Sequence, residues 1–137
     1  MGEKHMGVVE ERARKWRELL EVARLFSSCV LRRYQKASIV VFGSVARGDF
    51  NEWSDIDVLV VVDEELPSKP PERLDAIYEC LKSYPLVEPV VITLSEFHRM
   101  LSKKNPLIIE AVEKGIPLED KLNIFSSQKA QQASAPS

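Results

Sequence analysis

The chain has 137 residues, 45% of them hydrophobic and 29% charged, and a net charge of −2. That balance suits a single soluble globular domain and excludes a disordered chain. It also disfavours a protein that grips long nucleic acid through its phosphates, which would be basic. No apolar run reaches the ~18 residues of a membrane span and no signal peptide is visible, so no membrane partner and a cytoplasmic location are expected.

Residues 1–6 read as a loose start or a tag remnant, residues 7–120 as the domain, and residues 121–137, ending in a Gln/Ala/Ser-rich stretch, as a disordered tail. From Gly7 to Tyr34 the residues Trp16, Leu19, Leu20, Ala23, Val30 and Tyr34 fall on one stripe, which predicts an amphipathic helix. Ile39–Phe42 is a β-branched run that stops at Gly43, hence a buried strand. A polar stretch then leads to a second strand, Ile56–Val62, whose valines and leucine are apolar on both faces, so it belongs in the middle of a covered sheet. Pro70 and Pro71 open a helix with Leu74, Ile77, Tyr78 and Leu81 on its apolar face. A third strand runs from Glu88 to Thr93. Thr93 and Glu96 have capping-box spacing for the next helix, and Asn105–Pro106 opens a last one that closes at Gly115. This order predicts an α/β (α+β) fold, a small mixed sheet with helices packed on it. Cys29 and Cys80 sit in apolar helical contexts and are expected to be buried, reduced thiols.

The chemistry concentrates in Gly43-Ser44-Val45-Ala46-Arg47-Gly48-Asp49 and, ten residues after Ser44, Asp55-Ile56-Asp57. Two residues apart at a strand start, Asp55 and Asp57 leave the same face, with Cα atoms about 6.5–7 Å apart. Carboxylates converging to about 4 Å repel by about 4 kcal/mol at an effective dielectric of about 20. A purely structural position has no reason to carry that cost, whereas Mg²⁺ turns it into binding, using one or two carboxylates plus substrate phosphates. Gly43 lets the backbone approach a ligand, Ser44 offers a hydroxyl and an N–H to phosphate, and Arg47 and the Gly48 N–H add further donors. Asp49 is expected to order this loop, and Trp53 to pack against it. An ordinary strand–turn–helix with surface acids is the competing account.

This segment resembles the signature of the DNA polymerase beta-like nucleotidyltransferases, in the fuller forms Gly-Ser-x-Ala-Arg-Gly-Asp and Ser-Asp-Ile-Asp-Val-Leu-Val. The lack of a second domain is similar to their minimal (MNT) branch. The resemblance covers about residues 37–115. It implies a third carboxylate on the next core strand, for which Glu88 stands in place, completing a metal site with Asp55 and Asp57 and helping to take a proton from the attacking hydroxyl. It further implies two Mg²⁺ ions, ATP as substrate, and nucleotide contacts from Gly43, Ser44, Arg47 and Gly48. The implied activity is transfer of AMP to a hydroxyl, with a HEPN-domain toxin as acceptor and partner. A homo- or hetero-oligomer stays open. So does a different class of function, a nucleotide-binding antitoxin that neutralises its partner by complex formation with little or no catalysis.

Overall fold

The computed structural model describes residues 3–126. Its first helix, α1, runs Glu3–Arg33, so residues 3–6 continue the helix instead of preceding it, while residues 1–2 and 127–137 lie outside the described residues. The stripe read from the sequence is the buried one: Leu19, Leu20, Ala23, Val30 and Tyr34 are buried, joined by Phe26.

Four strands form one sheet in the order β3-β2-β1-β4, with β1 Ala37–Phe42, β2 Ile56–Val62, β3 Val87–Thr93 and β4 Ile116–Asp120. Strand β1 pairs antiparallel with β2 and β4, and β2 pairs parallel with β3. The sheet is therefore mixed, as its sequence pattern predicts. Both central strands are buried on both faces, which is why they read as unbroken apolar runs. One face, through Ile39, Val41, Ile56, Val58 and Val60, packs against α1. The other, through Val40, Phe42, Leu59, Val61 and Ile92, packs against α5 (Leu94–Ser102) and α6 (Pro106–Lys114).

Both caps form as their residues dictate. Thr93 Oγ1 accepts from the Glu96 N–H at 3.1 Å while Glu96 Oε1 accepts from the Thr93 N–H at 2.9 Å. Asn105 Oδ1 accepts from the Leu107 N–H at 3.0 Å, with Pro106 opening α6. Two elements depart from the sequence reading. The single helix expected after Pro70 is two short ones, α3 (Pro70–Asp75) and α4 (Tyr78–Ser83), and Tyr78 faces solvent instead of the core. Ile77, at the break, is buried, as its place on that apolar face predicts. Strand β4 adds a fourth strand that the sequence pattern does not predict, since Pro117 lies within it; Pro is tolerated there because β4 is an edge strand.

Residues 121–126, expected to belong to the disordered tail, are instead anchored. Ile124 and Phe125 are buried in the core under α5 and α6. The Asp120 carboxylate accepts the N–H groups of Ile124, Phe125 and Ser126 and the Ser38 hydroxyl. Burial alone would raise its pKa, but these four hydrogen bonds outweigh it and hold the pKa below the usual aspartate value.

The cysteines overturn a further expectation. Cys29 of α1 and Cys80 of α4 form a disulfide, with Cα atoms 5.8 Å apart and 51 residues of separation. The expectation of reduced thiols rested on compartment chemistry; the packing of α4 on α1 brings the two side chains together regardless. Closing a loop of this length should stabilise the fold by about 4 kcal/mol in the chain-entropy account, within a usual range of about 2–4. Replacing both cysteines with serine is expected to lower the urea midpoint accordingly. An unchanged midpoint would show that the bridge does not form in solution.

Candidate active site

Strand β1 ends at Phe42, and the chain turns at Gly43 into α2, Gly43–Arg47. Gly43 has φ +74°, and a Cβ there would overlap Asp57 Oδ2. Two independent constraints thus demand glycine: a left-handed backbone and a carboxylate against its α-carbon. Gly48 closes α2 at φ +86°, and its N–H donates to Ser44 O at 2.9 Å. Ser44 is half-buried at the first turn of this helix.

The N-terminal half of α1 braces this turn. Arg12 Nη2 donates to Gly48 O at 2.8 Å and to Phe50 O at 2.9 Å, and its guanidinium lies 4.5 Å from the Phe50 ring centroid. Trp16 Nε1 donates to Val45 O at 2.8 Å. Arg12 and Trp16 stand 36 and 29 residues from the carbonyls they hold, so nothing local in the sequence marks them. Asp49 orders the loop as expected, its Oδ2 accepting from Arg47 Nε at 3.1 Å. Trp53 does not pack on the loop; it is 88% exposed. The turn around it closes through Asn51 Oδ1, which accepts the Trp53 N–H, and through Ser54 Oγ, which accepts the Asn51 N–H, both at 2.8 Å. That turn delivers Asp55 to the head of β2.

Register decides where the acids meet. Asp57 pairs with Phe42 on one side and with Glu88 on the other, so Asp57 and Glu88 are direct neighbours on adjacent parallel strands and share a face. It is the face that carries Phe42 and Leu59, the side of α6. Asp55, two residues before Asp57, joins them. Burial first, then the charges of Asp55 and Glu110, push Asp57 above the usual aspartate value, with Arg47 partly offsetting them. The Asp55 charge first, then a hydrogen bond with Asp55, burial and the Asp57 charge, push Glu88 up as well. An acid raised in the folded state weakens the fold as pH climbs past its unfolded pKa, so these carboxylates are held together at a cost. Among the described residues, no group of three or more His, Cys, Asp or Glu side chains is placed to hold a metal ion together, so Asp55, Asp57 and Glu88 share a face without forming the three-carboxylate site that the sequence resemblance implies.

Arg47 extends from α2 to α6, where its Nη1 donates to Glu110 Oε1. Glu110 was not singled out in the sequence: it lies 63 residues from Arg47, and its charge is ordinary for a helix.

The Nucleotidyltransferase domain family model matches residues 23–118, a span holding the whole turn, both aspartates and Glu88. The chain belongs to this nucleotidyltransferase family. Two Methanocaldococcus jannaschii proteins that carry the name "Putative protein adenylyltransferase" are similar to it. One is 34% identical over 88 residues, covering 64% of this chain and 87% of the relative. The other is 31% identical over 78 residues, covering 54% and 79%. Among solved structures, a "putative nucleotidyltransferase" from Sulfolobus solfataricus aligns with TM-score 0.57 at 20% identity, covering 77% of this chain and 84% of that one. A toxin–antitoxin structure with AMP-PNP aligns with TM-score 0.53 at 20% identity, covering 80% and 86%. At such identities these two structures speak for the nucleotidyltransferase fold. Among the described residues no helix is long and apolar enough to cross a membrane.

Proposed function

We propose that this nucleotidyltransferase transfers AMP from ATP to a hydroxyl on a protein partner, and that it is the antitoxin of a pair whose toxin is a HEPN-domain protein. The observation that carries the reading is the alignment of Asp57 with Glu88 across β2 and β3, with Asp55 beside them and the Gly43 turn pressed against Asp57. The names of the Methanocaldococcus jannaschii relatives support a protein acceptor, and the AMP-PNP toxin–antitoxin structure supports the fold's use with an adenine nucleotide beside a partner.

The donor set fits Mg²⁺. It consists of hard carboxylate oxygens; burial and then the Asp55 charge raise Asp57, and the Asp55 charge raises Glu88. Magnesium favours such sets, taking one or two carboxylates and completing its shell with water and substrate phosphates. One or two of the carboxylates of Asp55, Asp57 and Glu88 would hold it, and when bound it supplies charge neutralisation of the triphosphate. The chain's own groups do the rest. The Ser44 hydroxyl and the N–H groups of the turn bind the outer phosphates, and Arg12 and Trp16 keep that turn rigid. The acceptor oxygen forms a bond to the α-phosphorus as the bond from that phosphorus to its bridging oxygen breaks. Pyrophosphate departs, and Glu88, beside Asp57 on the neighbouring strand, takes the hydroxyl proton.

The test uses the chain co-expressed with its toxin partner and α-labelled ATP, read by label transfer and by intact mass. One or more AMP increments on the partner are expected. Full neutralisation with no label, unaltered by Asp57→Ala, would instead assign the chain to the binding-module class.

A further inference from the structure

We propose that Glu110 acts as a placeholder for a phosphate, occupying on Arg47 the position that an oxygen of the triphosphate tail takes when nucleotide binds. The inference rests on the reading of the Gly43–Gly48 turn as the phosphate-holding element and adds to it a residue that sets nucleotide affinity.

Arg47 is the cation within that turn, and both of its ion-pair partners are carboxylates: Asp49, two residues away, and Glu110, on a different helix. The two partners differ in kind. Asp49 engages Nε from within the loop and belongs to its local order. Glu110 engages Nη1 from across the site and connects α2 to α6 without being needed for the cap of either helix. The α6 N-terminus is capped by Asn105, and its packing face is Ile108, Ala111 and Val112.

Glu110 also adds a fourth negative charge to the face that bears Asp55, Asp57 and Glu88, close enough to help raise Asp57. For a protein that must admit a polyanion, that charge is counterproductive unless it moves. The pair can open: the Arg47 and Glu110 side chains are 38% and 31% exposed. Ion pairs at such exposed positions are weak, so a phosphate oxygen, which accepts from a guanidinium as readily as a carboxylate does, exchanges with Glu110 at little cost.

The experiment is calorimetric titration of Mg-ATP, and of adenosine as a phosphate-free control, into wild type, Glu110→Gln, Arg47→Ala and the double variant. Removing the competing anion is expected to tighten Mg-ATP binding by about 3- to 10-fold. Adenosine binding should not change, Arg47→Ala should weaken Mg-ATP binding, and the gain from Glu110→Gln should vanish in the Arg47→Ala background. If Glu110 serves only to position Arg47, Glu110→Gln will bind Mg-ATP no better than wild type, and the proposal fails. A gain that survives without Arg47 also overturns it, because it would then be general charge relief. Wild type that binds no Mg-ATP at millimolar concentration would instead overturn the nucleotidyltransferase reading of the site. The two failures are therefore distinguishable.

Discussion

Asp57→Asn is expected to reduce nucleotidyl transfer by about 10²–10³-fold while making the protein more resistant to heat when no divalent cation is present. On the proposed mechanism the loss follows from the position of Asp57 between Asp55 and Glu88, where an uncharged amide would neither hold a dication nor balance phosphate charge; single electrostatic groups of this kind contribute about 10²–10³ to catalysis. The gain in stability follows from the sign of its pKa shift. Burial and the neighbouring acids raise Asp57 in the folded chain, so its ionised form opposes folding above the unfolded pKa and is neutral in effect below it. Asparagine removes that opposition at neutral pH. Thermal melts with and without Mg²⁺ check the claim, since wild type should gain from the cation and the variant should not. Gly43→Ala approaches the same site from the other side. Its methyl group must displace the Asp57 carboxylate, and its left-handed backbone adds about 1–2 kcal/mol of strain, so activity should fall as steeply while stability falls rather than rises. A fully active Gly43→Ala enzyme would contradict the placement of Asp57.

Arg73→Met is expected to lower stability by about 3–5 kcal/mol, the usual consequence of breaking a buried ion pair from one side. Arg73 lies on α3 with its side chain 9% exposed. Its Nη1 and Nη2 donate to the two oxygens of Glu96 at 2.8 and 3.1 Å, its Nη1 also donates to Val91 O at 2.9 Å, and its Nε donates to Pro67 O at 2.6 Å. One side chain thus ties the linker before α3, strand β3 and helix α5 together. Methionine fills most of the volume but leaves two carbonyls and one carboxylate without their donor. The pair also makes the fold acid-sensitive. Hydrogen bonding from Arg73, opposed by burial and aided by the Thr93 N–H, lowers Glu96 to about 2. A depressed carboxylate contributes its full stabilisation above the unfolded pKa of about 4.5 and loses it as pH falls toward the folded value. The partly exposed Glu96 side chain limits this contribution to about 2–3 kcal/mol. Urea midpoints should therefore drop between pH 5 and pH 2.5 in wild type, and less in Arg73→Met. Equal drops in both would place the acid sensitivity elsewhere.

Some of this molecule is written in short stretches of chain. Strands β1 and β2 announce themselves because a strand buried on both faces must be apolar at consecutive positions. The Thr93–Glu96 and Asn105–Pro106 caps do so because a capping side chain reaches only two or three residues. Gly43, Ser44, Asp55 and Asp57 are legible for the same reason: the turn and the strand head that carry them are local, and period-two geometry alone puts both aspartates on one face. What remained hidden depends on partners far along the chain. Pro117 masks β4 until its edge position is known, and Ile124 and Phe125 resemble a thinning tail until Asp120 and Ser38 are seen to hold them. Cys29 and Cys80 become a bridge only when α4 lies on α1, and Arg12, Trp16 and Glu110 acquire their roles only across 29 to 63 residues of separation. Backbone preference and side-chain alternation act over a few residues and so survive in the linear order. Burial, pairing and charge proximity between distant segments are products of packing, and only the folded chain decides them.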